Sequence, residues 1–108
     1  MTAPVPPLSS FVALSRFTVA NGMTRDVIDA FQARPHMVDE AQGFLQLEVL
    51  TPQDAPDEIW LMTWWSNEEN FRVWHASHAY RESHKGIPRG LKLDPTATQL
   101  RFFNVVAG

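Results

Sequence analysis

GFLQLEVLTPQDAPDEIWLMTWW, residues 43–65, holds two runs of β-forming residues separated by a link rich in Pro and Asp. The first run, 43–50, places alternate residues on two faces, as a strand does. The expected faces are Leu45, Leu47 and Val49 on one side and Phe44, Gln46, Glu48 and Leu50 on the other. The second run, 59–65, is apolar on both faces. Two such runs predict a β-hairpin with a longer loop.

The segments outside this hairpin predict two further strands, three helices and one short helix or turn. They are a strand over 11–19, a helix from Thr24 as N-cap to about 33, a short helix or turn over 36–42, a helix opened by Ser66 or Asn67, a helix over about 77–85 and a strand over 98–106. The order β-α-β-β-α-β is that of the ferredoxin-like fold. We therefore predict an α+β domain with an antiparallel sheet over 11–108, preceded by an extended or disordered segment over 1–10.

The composition excludes several classes of protein. The 108 residues suffice for one domain, and 12 acidic against 9 basic residues argue against nucleic-acid binding through phosphate neutralisation. The chain has no cysteine, which excludes disulfides and thiolate metal sites. Its apolar stretches are far shorter than the ~20 residues of a membrane helix, and its start lacks the features of a secretory signal. We expect a cytoplasmic protein that binds neither membrane nor nucleic acid.

The aromatic residues point to a second copy of the chain. Four Trp and seven Phe are many for a small acidic domain. In the predicted fold the helices cover one face of the sheet, yet the strand over 59–65 is apolar on both. Because an apolar sheet face is not left in water, we predict a homodimer in which two sheets pack face to face.

Three of the four histidines lie in WHASHAYRESH, residues 74–84. Imidazole suits zinc and iron, but on one continuous helix His75 and His84 differ by roughly 180° and point to opposite sides. His84 shares a helix face with Tyr80 and precedes a basic loop that contains Gly and Pro. From its chemistry alone, His84 is either a half-buried histidine that closes a helix or an axial ligand of haem iron.

Residues 11–106 resemble the antibiotic biosynthesis monooxygenase (ABM) superfamily, whose members are small dimeric α+β barrels. The motifs that carry the resemblance are GF at 43–44, WWSNEE at 64–69 and FxxW at 71–74. Trp74 followed ten positions later by His84 is similar to the IsdG-type haem-degrading branch. The resemblance implies that Trp74 lines a haem pocket and that His84 is the proximal ligand of the iron. Ser15 stands where this branch has an asparagine that bonds the distal ligand.

The resemblance implies a haem-degrading monooxygenase that cleaves haem and releases iron. Haem is then both substrate and cofactor, O2 is activated on it, and an external electron donor is a partner. Further candidates for the haem site are Phe17 and Tyr80 in its walls and Arg25, Lys85 and Arg89 at the haem carboxylates. Two alternatives stay open: a cofactor-independent ABM monooxygenase acting on a polycyclic aromatic substrate, and a non-catalytic haem-binding barrel.

Overall fold

The computed structural model describes residues 10–34, 36–83 and 86–107. Its elements are β1 (Phe11–Thr18), α1 (Thr24–Gln32), a 3₁₀ helix (Met37–Glu40), β2 (Phe44–Leu50), β3 (Glu58–Trp65), α2 (Glu68–His75), α3 (His78–Ser83) and β4 (Gln99–Asn104). The strands form one antiparallel sheet in the order β2-β3-β1-β4. This confirms the predicted α+β ferredoxin-like fold. The predicted leading segment lies, except for Ser10, outside the described residues, and so do His84 and Lys85.

The central strand, β1, sends alternate residues to the two faces of the sheet. Phe11 and Ala13 are buried against the helices, and Phe17 packs on that same face. Val12 and Leu14 point to the opposite face and are buried there as well. Because β1 is paired on both edges, with β3 and with β4, its register decides what the neighbouring strands place beside each of its side chains.

The face under the helices holds two separate hydrophobic clusters rather than one. The first cluster packs α2 and the 3₁₀ helix on the sheet and consists of Phe11, Ala13, Val38, Trp65 and Phe71. The second cluster packs α1 near the other end of β1 and consists of Val19, Val27 and Ile59. The part of β1 between them, around Ser15, is only half-buried. The two helical units are thus fixed to the sheet independently of each other.

A β-bulge in β2 corrects the predicted alternation of that strand. The pairing with β3 shifts between Phe44 and Gln46. An extra residue in a strand reverses the alternation beyond it, so Phe44 packs on the same cluster as Leu47 instead of facing the other side. Its ring meets Trp65 edge-on, with 5.6 Å between the ring centroids. The predicted placement of Phe44 opposite Leu47 is therefore wrong.

The predicted start of α1 is also wrong by one residue. Thr24 is the first residue of the helix, and its N-cap is Met23, which makes no capping hydrogen bond through its side chain. The hydroxyl of Thr24 instead donates to Asp57 Oδ1 at 2.6 Å, a hydrogen bond to a carboxylate that ties the first turn of α1 to the segment before β3. At α2 the prediction is confirmed: Asn67 is the N-cap and accepts from the backbone N–H of Asn70. None of the described helices is long and apolar enough to span a membrane.

Gly43 directly precedes β2 and packs against residues at the start of α2. Its φ of +78° lies in the left-handed region, and a Cβ there would come within 2.6 Å of both Asn70 Cγ and Ser66 Oγ. Those two side chains are bonded to each other, since Asn70 Nδ2 donates to Ser66 Oγ at 2.8 Å. Gly22 has a similar φ of +75°, but a Cβ on Gly22 would meet nothing within 4 Å. Alanine substitutions at the two glycines therefore distinguish the cost of backbone strain, present at both, from the cost of steric contact, present only at Gly43.

We expect Gly43→Ala to lower the free energy of unfolding by about 2–4 kcal/mol, measured by urea denaturation. Gly22→Ala is the matched control and should lose only the left-handed backbone penalty of about 1–2 kcal/mol. The difference between the two variants comes from displacing the Asn70–Ser66 pair. Equal losses in both variants would show that this junction is not closely packed.

Candidate functional site

The register of the sheet aligns four side chains in a row between the two clusters. Ser15 of β1 lies opposite Leu100 of β4 on one side and Leu61 of β3 on the other, and Leu61 lies opposite Val49 of β2. Ser15, Leu61 and Val49 are half-buried, whereas Leu100 is 52% exposed. We call Leu100, Ser15, Leu61 and Val49 the floor. It is an apolar surface with one hydroxyl near its centre.

A cavity of about 340 Å³ lies between α1 and β2 at one end of the floor. Its apolar lining comes from Ile28 and Phe31 of α1 and from Leu47 and Val49 of β2. Its polar lining residues are Gln32, Arg34 and Thr51. Small-molecule sites commonly measure roughly 300–1,000 Å³ and combine mostly apolar walls with a few polar groups. The space beside α1 has this character.

Arg34 is the cation in that lining, and Asp39 holds it in place. Arg34 Nη1 lies 3.0 Å from Asp39 Oδ1, and His36 Nδ1 lies 3.2 Å from Asp39 Oδ2. Burial raises the pKa of Asp39, but hydrogen bonds and charge from Arg34 and His36 outweigh it, and the pKa lies below its ordinary value. Arg34 was not among the site residues predicted from the sequence. The available signal was its spacing, since Val27, Phe31 and Arg34 recur at helical intervals.

An aromatic pair, Trp74 and Tyr80, lies where α2 meets α3, and we call it the aromatic wall. Trp74, near the end of α2, is half-buried and packs against the first cluster. Tyr80 of α3 meets the Trp74 indole edge-on, with 6.0 Å between the ring centroids and an interplanar angle of 89°. Burial raises the pKa of the Tyr80 phenol. The structure thus brings together two of the predicted site residues, Trp74 and Tyr80.

The remaining predicted residues lie in different places. Phe17 packs against the second cluster and lies two residues from Ser15 on the same face of β1. Arg25 is on the solvent side of α1, where its Nε lies 3.2 Å from Asp29 Oδ1 and 74% of its side chain is exposed, so it does not line the cavity. Arg89 is exposed in the segment after α3. His84 and Lys85 lie outside the described residues.

The other histidines of the 74–84 stretch occupy two different helices. α2 ends at His75 and α3 begins at His78. His75 stacks on Phe71 at 5.3 Å between ring centroids and lies 4.5 Å from the Tyr80 ring. Across the described parts of the chain, no group of three His, Asp or Glu side chains is placed to hold a metal ion.

A second, more open groove of about 490 Å³ runs along α2. Its lining residues are Glu68, Glu69, Arg72, Val73 and Ala76. Because all of them belong to a single helix and its end, the groove has no opposing wall and does not enclose a ligand. The floor and the cavity beside α1 are the better candidate site.

Residues 10–86 match the antibiotic biosynthesis monooxygenase family. The chain belongs to this family. Among its relatives is the staphylobilin-producing heme oxygenase of Staphylococcus saprophyticus, 30% identical over 78 residues that cover 70% of this chain and 74% of that protein. Another is staphylobilin-producing heme oxygenase 1 of Staphylococcus aureus strain Newman, 29% identical over 79 residues that cover 71% and 73% of the two chains. The predicted resemblance to the haem-degrading branch is thereby confirmed.

Solved structures show the same architecture for this family member. The heme degrader MhuD of Mycobacterium tuberculosis, with two hemes bound in its active site, superposes with a TM-score of 0.69 at 26% identity, covering 91% of this chain and 97% of that one. The cofactor-independent oxygenase SnoaB of Streptomyces nogalater gives a TM-score of 0.72 at 17% identity, covering 94% and 97%. The likeness to SnoaB shows a shared fold alone.

Replacing Arg34 by Met should raise the pKa of Asp39, measured by NMR titration of its carboxyl carbon. The folded state lowers this pKa, so the ion pair stabilises the fold above the unfolded-state pKa. That stabilisation is lost as the pH falls through the lower folded-state pKa. Arg25→Met is the control, because it removes the same kind of side chain from Asp29 instead. An Asp39 titration that is identical in the wild type and Arg34→Met would contradict the pairing.

Proposed function

We propose that this protein is a haem-degrading monooxygenase that binds haem over the floor and cleaves it oxidatively, with release of iron. The observation that carries the proposal is the floor itself, a half-buried apolar row with one central hydroxyl that separates two independently anchored helical units. Curated relatives named as heme oxygenases cover 70% and 71% of this chain and support the same substrate.

The chemistry of the site residues suits haem. Haem is a flat, apolar ring with two carboxylates, and it requires an apolar slot with a few placed polar groups. Leu61 and Val49 supply apolar floor, while the rings of Phe31 and Trp74 stand on the α1 and α2 sides. A guanidinium forms strong paired hydrogen bonds with a carboxylate, and Arg34 is fixed in the cavity lining. The apolar floor, the two rings and the guanidinium are the kinds of group that haem requires.

His84 is the proposed proximal ligand of the haem iron. It follows Ser83, the last residue of α3, by one position. The chain has no cysteine, which removes thiolate from the usual axial ligands, and the resemblance to the haem-degrading branch implies His84 among those that remain. Tyr80 holds α3 against Trp74 of α2, and His84 follows this helix in the sequence.

Ser15 is the proposed hydrogen-bond donor to the distal ligand of a haem bound over the floor. Its hydroxyl lies between Leu61 and Leu100 on the floor. Within the described residues, Ser15 Oγ has no hydrogen-bond partner in the protein, so the group is free to donate to a ligand. A hydroxyl has a shorter reach than the asparagine amide that the resemblance implies for this position, so a ligand that bonds to Ser15 would have to lie closer to β1.

The haem carboxylates are proposed to bind cations on both sides of the site. Arg34 serves the α1 side, and Lys85 and Arg89 serve the segment after α3. When bound, haem supplies the centre at which O2 is activated, and an external donor provides the electrons. The protein's own part is to hold the ring between its aromatic walls, to keep water from the apolar floor and to place one hydroxyl at the distal face.

The experiment that tests this function is a haem titration of the wild type, His84→Ala and the control His78→Ala. We expect a saturable Soret band in the wild type and in His78→Ala, and at least a tenfold weaker affinity in His84→Ala. Addition of ascorbate under air should then remove the Soret band and release iron that a ferrous chelator traps.

Two outcomes would contradict the proposal in different ways. A wild-type protein with no saturable Soret band would exclude haem as the substrate and favour a cofactor-independent monooxygenase. A Soret band that persists with reductant and air would indicate a haem-binding barrel without turnover.

We further propose that the protein is a homodimer through the sheet face opposite the helices. Trp60, Met62 and Trp64 of β3 lie on that face and are half-buried, and Phe103 of β4 is 36% exposed. An ion pair on this face is tied to the aromatic surface, since Glu58 accepts from Trp60 Nε1 at 2.6 Å and Arg16 Nε lies 3.6 Å from Glu58 Oε1. A second copy offers the same apolar surface in closed symmetry.

Sedimentation at micromolar concentration should give the mass of a dimer for the wild type. Phe103→Glu places a charge on the proposed interface and should shift the equilibrium toward monomer at least tenfold. Val73→Glu is the matched control, because Val73 is 66% exposed on α2, away from this sheet face, and the variant should remain dimeric. A monomeric wild type would contradict the proposed assembly.

A further inference from the structure

One serine side chain connects the two helices that form the aromatic wall. α2 ends at His75, α3 begins at His78, and Ser77 lies between them. The Ser77 hydroxyl donates to the backbone carbonyl of Trp74 at 2.6 Å and accepts from the backbone N–H of Tyr80 at 3.1 Å. The backbone N–H of Ser77 also donates to the Trp74 carbonyl, at 2.9 Å. Ser77 therefore closes the last turn of one helix and caps the first turn of the next.

Helix ends leave carbonyl and N–H groups without partners, and an N-cap serine normally satisfies only the N–H groups of its own helix. Ser77 satisfies one group at each of two helix ends with a single oxygen. Both groups belong to residues whose rings meet in the wall, Trp74 and Tyr80. The hydroxyl thus fixes the backbones that carry these two rings relative to each other.

The position of Tyr80 depends on this corner. The centroid of the Tyr80 ring lies 6.0 Å from that of Trp74 and 4.5 Å from that of His75. Tyr80 therefore contacts two residues in the final turn of α2. α3 has only six residues, His78–Ser83, and packs against the 3₁₀ helix. So short a helix is marginal by itself in water and takes its orientation from its cap and its packing.

We propose that Ser77 is a positioning residue for the ligand site: its hydroxyl sets the geometry of the Trp74–Tyr80 pair and thereby the fit of the bound ring. The naming of haem as that ring rests on the proposed function. The positioning of the aromatic pair does not, and it is measurable without any ligand.

Tyr80 provides that ligand-free measurement because it is the single tyrosine of the chain. Its ionisation is followed by ultraviolet absorbance without interference from another phenol. Burial at the corner raises the pKa of Tyr80, with the His75 ring as its titratable neighbour on α2. If α3 loosens from α2, the phenol becomes more exposed to water and its pKa falls toward the ordinary value.

The experiment compares Ser77→Ala with three other variants of the full chain. Ser77→Thr keeps a hydroxyl at the cap. Ser77→Gly removes the hydroxyl, but glycine is well tolerated at N-caps. This variant therefore distinguishes a loss of positioning from a loss of helix stability. Ser10→Ala is the matched control, since Ser10 Oγ also donates to a backbone carbonyl, that of Ser66 at 2.6 Å, away from the corner.

We expect Ser77→Ala and Ser77→Gly to weaken haem affinity at least tenfold and to lower the pKa of Tyr80. Ser77→Thr and Ser10→Ala should stay within twofold of the wild-type affinity and keep the Tyr80 titration unchanged. Haem affinity within twofold of wild type in Ser77→Ala would overturn the proposal, and so would an equal loss in Ser10→Ala. If the wild type binds no haem, the proposed function fails, and the Tyr80 titration alone decides whether Ser77 positions the pair.

Discussion

The pairing of β1 with both of its neighbours is the constraint on which the rest of the molecule depends. A strand with partners on both edges cannot slip by one residue without moving every side chain to the other face. The register of β1 therefore decides that Ser15 stands between Leu61 and Leu100 under the helices. It decides equally that Val12 and Leu14 are buried on the opposite face.

The candidate site arises because the helices are anchored at the two ends of this strand and not at its middle. Phe71 holds α2 at the Phe11 end, and Val27 holds α1 at the Val19 end. Leaving the middle half-buried forgoes hydrophobic stabilisation of about 25 cal/mol for each Å² of apolar surface left uncovered. A flat apolar ligand would recover that stabilisation by covering the middle of the sheet. The same sheet face can therefore anchor the helices at its ends and bind a ligand at its middle.

The sequence predicted the strands and the main helices, because these follow from local periodicity. It did not predict the placement of Phe44, since a bulge leaves no mark in a pattern of alternating residues. It did not predict the role of Thr24, whose hydroxyl bonds to Asp57, a residue 33 positions away. Arg34 was missed because its place in the cavity lining depends on where α1 lies against β2, a tertiary relation.

The two faces of β1 also couple the proposed ligand site to the proposed dimer. Val12, Leu14 and Arg16 of β1 lie on the sheet face opposite the helices, which we call the open face. Ser15 lies on the other face and belongs to the floor. A second copy packed on the open face would restrict the same backbone segment that carries the Ser15 hydroxyl. A donor of short reach is useful only if its backbone is held rigidly, because it cannot extend to compensate for movement. The proposed role of Ser15 as a short-reach donor thus requires a stiff β1, and the proposed partner on the open face would supply part of that stiffness.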